Sequence, residues 1–276
     1  MNFSKMHGLG NDFILLEEKE IMGQDYAVLA RTLCDRHTGI GANGILIIQA
    51  SQIADLRMRI FNCDGSEAEM CGNGIRCFAR YAFEHGWVTK HEFSVETLAG
   101  IVQPQLILKN NRIDSIKINM GQPRWQRKDI PMLGAEEEAI DEVISVLGKE
   151  YRITSLFMGV PHTIVFVDDV KKVQIDKIGP AIEKHKLFPK GTNVNFVEVK
   201  NEKEIYVRTW ERGAGMTLAC GTGCCASVAA AWKNKLTENK VLVHLPLGDL
   251  SIEYAENGTV YMAGAAEYSF SGKWNG

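Results

Sequence analysis

The chain states one plan twice. Cys71-Gly72-Asn73-Gly74 and Cys220-Gly221-Thr222-Gly223 are two copies of a Cys-Gly-x-Gly stretch, 149 residues apart in a chain of 276. The match runs upstream at the same offset: Arg59 aligns with Arg208, Phe61 with Trp210 and Asn62 with Glu211, so a strand-like run (LRMRIFN, YVRTWER) leads into each cysteine. Two more pairs sit near it, MHGLGNDFILL with FMGVPHTIVFV (Gly8 to Gly159, offset 151) and GIGANGILII with PKGTNVNFVEV (Asn43 to Asn193, offset 150). A repeat of this length predicts two facing domains of like architecture, one thiol in each. A site using both sulfurs suits one task in particular, removing a proton from one face of a carbon and returning one to the other.

Short β-rich runs bounded by Gly, Pro, Asn and Asp dominate both halves. DFILLE, ILIIQ, LRMRIFN, IVQPQLILK and RIDSIKINM read as strands in the first half, and HTIVFVD, TNVNFVEV, EIYVRTW, VLVHLPL, LSIEYA and TVYMAG in the second. Two apolar runs at helical spacing break the pattern, GIRCFARYAFEHG and GCCASVAAAWKNK, and each starts just after its cysteine. Surface helices are expected at YAVLARTLCDRH, AEEEAIDEVISVLG and IGPAIEKHK. Strands mixed with few helices, without regular βαβ alternation, give an α+β class. The Gly- and Pro-containing stretch from Met120 marks the boundary, giving domains 1–120 and 121–264, with 265–276 returning to the first.

A formal charge of −3, with no basic cluster interleaved with aromatics, argues against nucleic acid or an anionic membrane as partner. No apolar stretch is long enough to span a bilayer and no signal-peptide core is visible, so a cytoplasmic protein is expected. Seven cysteines, an odd number without an export signal, read as free thiols. Their spacing lacks the paired pattern of structural zinc, so no metal is expected. Gly39-Ile40-Gly41-Ala42-Asn43-Gly44 matches a dinucleotide fingerprint literally, but a helix-like run precedes it and a strand-like run follows, the reverse of the required order.

Cys71 and Cys220 both open predicted helices, where unpaired N–H groups and the positive dipole end favour a thiolate and an anion. Two such helix starts converging on one small molecule would hold an α-carboxylate and the enolate-like charge formed when the α-proton leaves. MHGLGNDF, RHTGIGANG, FNCDGSEAEMCGNGIR, MGVPHT, GTNVNF and RTWERGAGMTLACGTG, in that order, resemble the diaminopimelate epimerase family of cofactor-independent two-cysteine amino-acid racemases. The resemblance runs nearly end to end. It implies two pseudosymmetric domains, each a β-barrel-like sheet around a central helix, an active site in the cleft between them, and a homodimer. It also implies an epimerase that interconverts LL- and meso-diaminopimelate for lysine and cell-wall synthesis without pyridoxal phosphate. Cys71 and Cys220 become the proton-transfer pair, and Gly72-Asn73 and Gly221-Thr222 the α-carboxylate cradles. Asn11, Asn62, Asn193, Glu211 and Arg212 fall on substrate-binding positions, with His162 and Glu211 as the polar pair that tunes the thiols.

Each of these has a plainer reading. Asn11, Asn43 and Asn193 stand beside glycines as turn residues do. His162 alone would be a hydrogen-bonded strand histidine, Glu211-Arg212 a solvated pair, and Cys34, Cys63, Cys77, Cys224 and Cys225 packing residues. The chain departs from the family pattern at Val160 (usually Asn), Gly44 (often Gln), Met216 (usually Glu) and Asn43 (commonly Asp). Racemisation of another amino acid, of histidine or lanthionine type, is the alternative that Val160 favours and Arg212 disfavours. A thiol redox protein or cysteine hydrolase is the reading from another class, although a hydrolase has no use for a duplicated thiol.

Overall fold

β-branched and aromatic runs become strands through residues 1–276, all of which the computed structural model describes. In chain order the first half contains β1 (Asn2–Gly8), β2 (Asn11–Glu17), α1 (Tyr26–Cys34), β3 (Gly44–Gln49), β4 (Leu56–Asn62) and β5 (Glu67–Ala68). Then follow α2 (Gly72–Glu84), β6 (Val95–Thr97), β7 (Gly100–Val102), β8 (Gln105–Lys109) and β9 (Arg112–Asn119). The second half contains β10 (Ala139–Val146), β11 (Lys149–Met158), β12 (Val160–Phe166), α3 (Ile175–Glu183), β13 (Asn193–Asn201), β14 (Glu204–Glu211) and β15 (Gly215–Thr217). It continues through α4 (Gly221–Lys233), β16 (Lys240–Leu245), β17 (Gly248–Tyr254) and β18 (Val260–Gly264) to β19 (Glu267–Lys273). The chain divides into two units, Met1–Asn119 with Ala263–Gly276, and Met120–Met262. No helix is long and apolar enough to cross a membrane.

The first unit holds a sheet ordered β19-β1-β2-β3-β4-β6-β7, with β5 beside β4. Leu9 and Gly10, both at positive φ (57° and 85°), close the β1–β2 hairpin. Helix α1 crosses from β2 to its parallel neighbour β3, its N-terminus capped by Asp25, whose carboxylate accepts from the Ala27 and Val28 N–H groups. Helix α2 lies against β1, β2, β3, β4 and β9, with Ile75, Phe78, Ala79 and Ala82 on its buried face.

The second unit repeats the scheme in the order β10-β11-β12-β13-β14-β16-β17-β18, with β15 beside β14. Helix α4 touches β11, β12, β13, β14, β16 and β17, and its small side chains (Ala226, Ala229, Ala230, Ala231) let strands approach on nearly every side. In neither unit do the two ends of this strand path pair with each other, so each helix sits in an open, barrel-like sheet.

Two expectations are corrected. AEEEAIDEVISVLG is not a surface helix: residues 139–146 form β10, paired with β11 through a turn at Leu147-Gly148, both at positive φ (51° and 75°). Its β-branched residues decide this, because Ile144 and Val146 alternate into the core with Ile153 and Val165. IVQPQLILK splits into β7 and β8 around Pro104, which has no N–H to give a ladder.

Strand register makes the repeat exact. Phe13 pairs with Gly44 and Leu46 with Ile60 in the first unit; His162 pairs with Asn193 and Asn195 with Thr209 in the second. One offset of 149 carries each pair onto its counterpart. The alignment of Gly8 with Gly159 is therefore displaced, because the β1–β2 turn spans two residues and the β11–β12 turn only Gly159, and that of Asn43 with Asn193 is one residue out, since Asn193 takes the place of Gly44 in the ladder. The structural partner of His162 is Phe13, that of Val160 is Asn11, and that of Asn193 is Gly44.

Candidate active site

In the first unit, extended backbone at Cys71 (φ −141°, ψ 119°) makes it the N-cap of α2. Its sulfur accepts from the Gly74 N–H at 3.4 Å and from Asn11 Nδ2 at 3.7 Å. The first intrahelical bond is Ile75 N–H to Cys71 O, so the N–H groups of Gly72 and Asn73 precede it and have no helical acceptor. Asn73 is buried with its Oδ1 unpaired. Asn11 is held in place by its neighbour Asp12, whose carboxylate takes both Arg36 amines (2.8 and 3.1 Å), Lys5 Nζ (3.1 Å) and the Asn43 N–H (3.1 Å). Burial pushes the Asp12 carboxyl up, but hydrogen bonds and charge from Arg36 and Lys5 outweigh it and hold the group below its ordinary range. Asn62 stands apart, at the exposed end of β4, donating to Ser66 Oγ at 2.9 Å.

In the second unit Cys220 is the N-cap of α4 (φ −124°, ψ 104°) and is buried. Burial and then the Glu211 carboxylate push its thiol well above the ordinary range; the Thr222 hydroxyl and the Gly223 N–H oppose this only in part. The Cys220 sulfur lies 3.5 Å from Thr222 Oγ1, and Thr222 Oγ1 lies 3.1 Å from His162 Nε2. The imidazole is fully buried, and burial, helped by the Arg212 charge, drops its pKa to about 3. His162 is thus neutral at any working pH.

Asn193 spends its amide on main chain: Nδ2 donates to Pro161 O at 3.0 Å, and Oδ1 accepts the Arg212 N–H at 2.8 Å. It therefore locks β12 to the end of β14, where Glu211 and Arg212 sit. Arg212 Nη1 donates to Lys190 O at 2.8 Å, which aims an otherwise exposed guanidinium. Asn195 and Thr209, buried beside His162, escaped the sequence reading. Their signal was the repeat itself, since both are polar where the register places Leu46 and Ile60.

The literal dinucleotide fingerprint does a packing job. Ile40 and Gly41 N–H groups donate to Leu33 O at the C-terminus of α1, and Ala42 N–H to Cys34 O. Cys34, Cys77, Cys224 and Cys225 are buried as packing residues would be, whereas Cys63 is exposed, a correction that follows from its place in the turn after β4.

Residues 3–126 and 154–269 match the family model described as diaminopimelate epimerase. The chain is 50% identical over 273 residues to a diaminopimelate epimerase of Caldanaerobacter subterraneus subsp. tengcongensis, covering 99% of each. It is 48% identical over 276 residues to one from Pelotomaculum thermopropionicum, again covering 99% of each. Among solved structures, a phenazine biosynthesis protein of the PhzF family from Bacillus anthracis superposes with TM-score 0.71 at 18% identity, covering 99% of each chain. A probable proline racemase from Agrobacterium radiobacter gives TM-score 0.69 at 14% identity, covering 99% of this chain and 92% of that one. These distant structures share the fold, while the close relatives carry the function. The matched family model spans most of the chain and the relatives match it end to end, so the chain belongs to the diaminopimelate epimerase family.

Proposed function

We propose that the chain interconverts LL- and meso-diaminopimelate with Cys71 and Cys220 as its two bases, without pyridoxal phosphate. The supporting observation lies within each unit: two thiols at equivalent helix starts sit in different surroundings, one half-buried beside two N–H donors and one buried near a carboxylate. Two N–H donors face the Cys71 sulfur, which suits a thiolate. Burial and the Glu211 charge keep Cys220 protonated. One base and one acid are thus ready before substrate arrives, and the two exchange states with each turnover.

In this reading Cys71 removes the α-proton and Cys220 supplies one to the opposite face. The helix-start N–H groups of Gly72, Asn73, Gly221 and Thr222 hold the reacting carboxylate and take up the charge that spreads onto it. Glu211 and Arg212, set by Asn193, with Asn11 and Asn62, recognise the distal ammonium and carboxylate. His162 acts as a neutral polar neighbour of Cys220, never as an acid. We further read the enzyme as a cytoplasmic homodimer feeding lysine and cell-wall synthesis, a reading that rests on the family and is tested by sedimentation of the purified chain.

The deciding experiment follows α-hydrogen exchange in deuterated water. Wild type is expected to label one of the two α-centres of LL-diaminopimelate and to exchange alanine, lysine and histidine far more slowly. Cys71→Ala and Cys220→Ala should each abolish interconversion in a folded chain. Full activity in either variant rules out the two-base scheme, and faster exchange of histidine means Val160 has redirected the pocket.

A further inference from the structure

Beneath the two thiols the repeat has diverged. Gly74, in the first turn of α2, faces Leu46 and Phe13, at 3.3 and 3.6 Å from where its Cβ would stand. Its counterpart Gly223 faces Asn195, whose Oδ1 occupies the space a Cβ would need. The apolar trio Phe13, Leu46 and Ile60 of one unit is thus replaced by His162, Asn195 and Thr209 in the other, and all six are buried. Exchanging three hydrocarbons for three polar groups in a core costs stability unless each is hydrogen-bonded. Here each is.

The bonds run in one direction only. Thr209 O–H donates to Asn195 Oδ1 at 2.9 Å, which turns the Asn195 NH2 toward His162 Nδ1 at 3.0 Å. An amide nitrogen only donates, so Nδ1 must carry the lone pair. In a neutral imidazole the one ring proton is then on Nε2, 3.1 Å from Thr222 Oγ1. With its oxygen occupied as acceptor from the ring, the Thr222 hydroxyl has its own proton to give, and the Cys220 sulfur lies 3.5 Å away.

We propose that Asn195 and Thr209 are positioning residues that fix the His162 tautomer and, through it, aim the Thr222 hydroxyl proton at the Cys220 sulfur. The inference rests on the reading of Cys220 as a proton-transfer group. A thiolate gains more from such a donor than a thiol does, because hydrogen bonds to a charged group are the stronger ones. The relay therefore offsets what burial, the Glu211 carboxylate on β14 and Cys224 on α4 do to this sulfur, while Arg212 at the end of β14 bears on the ring of His162. Without the relay Cys220 would be an acid unable to return to the base state. Cys71 needs no counterpart, since Asn11 donates to it directly.

The test uses the whole chain with Thr209→Val, Thr209→Ser and Asn195→Leu, the last placing the first unit's own residue in the second. Proton–nitrogen correlation spectra of the His162 ring should show Nε2 protonated and Nδ1 bare in wild type and in Thr209→Ser. Thr209→Val and Asn195→Leu should show mixed tautomers. In these two, kcat should fall about tenfold, the size of one hydrogen bond to a charged group, with KM within about twofold, as expected for an interaction that strengthens as charge develops on the sulfur and does not touch substrate. Thr209→Ser should restore native turnover. A proton on Nδ1 of wild-type His162, or native kcat in Asn195→Leu, overturns the proposal. Failure of the two-thiol reading would appear separately, as turnover in Cys220→Ala, and would leave the tautomer spectra unchanged.

Discussion

Met216 shows how one residue can be read against its own repeat. In the first unit Arg59 grips Glu67 with Nε and Nη2, at 2.6 and 2.8 Å. At the same offset Arg208 Nη2 meets the Met216 sulfur at 3.1 Å, a weak acceptor. Met216→Glu should rebuild the bidentate pair and stabilise the chain by about 0.5 kcal/mol, since a pair this exposed contributes little. Urea unfolding at low and high salt checks it: the gain should shrink as salt screens the pair. His162 makes a second prediction. Its folded pKa, about 3, lies below the ordinary histidine value, so between pH 6.5 and 3 the unfolded chain binds a proton that the folded chain does not. Stability should therefore fall on acidification through that window, by up to about 1.4 kcal/mol per pH unit from this group. His162→Gln should flatten the slope of unfolding free energy against pH below 6.5, and an unchanged slope would mean the imidazole is not buried as a neutral ring.

The helices show what an element needs beyond its own propensity. Helix α3 reaches β14 only because Gly179 has no side chain: a Cβ there would lie 2.6 to 2.9 Å from the Trp210 indole. Trp210 is fixed in turn by Nε1 donating to Glu183 Oε2 at 2.6 Å, so the rigid ring cannot step aside. Gly179→Ala raises helix propensity, yet overpacking should dominate and cost about 1 to 3 kcal/mol, read from urea midpoints. That sign decides between local and tertiary control. The starts of α2 and α4 were legible in the sequence because Cys-Gly-x-Gly is an N-terminal signature followed by an apolar stripe. Strand β10 was not, because three glutamates ahead of it resemble a helix surface and its hairpin partner β11 is invisible to local pattern. Strands β1, β11 and β19 went unread for the same reason, being mixed in polarity until a neighbour pairs with them, and β5, β6 and β15 are too short to show a period.

At the scale of the whole molecule the duplication carried the two-unit plan and the placing of a cysteine at each helix start, since a long offset between like motifs survives where local periodicity is weak. What it could not carry was register. Only the ladders show that His162 replaces Phe13 and Asn195 replaces Leu46, because a one-residue slip in a strand exchanges its faces. The two-base reading also makes a demand that neither unit meets alone. If the proposed reading holds and both sulfurs address one α-carbon, they are expected to reach each other when no substrate separates them, and a disulfide tolerates only a narrow range of separations. Mild diamide, which accepts the two protons and two electrons released by two thiols, should inactivate the free enzyme through a Cys71–Cys220 disulfide. Dithiothreitol should restore activity, and saturating diaminopimelate should protect. Cys63, the exposed thiol, provides the control: Cys63→Ser should remain fully sensitive. Peptide mapping that places the inactivating bridge at Cys224–Cys225, or at any pair other than Cys71–Cys220, would show that the two thiols do not share a substrate.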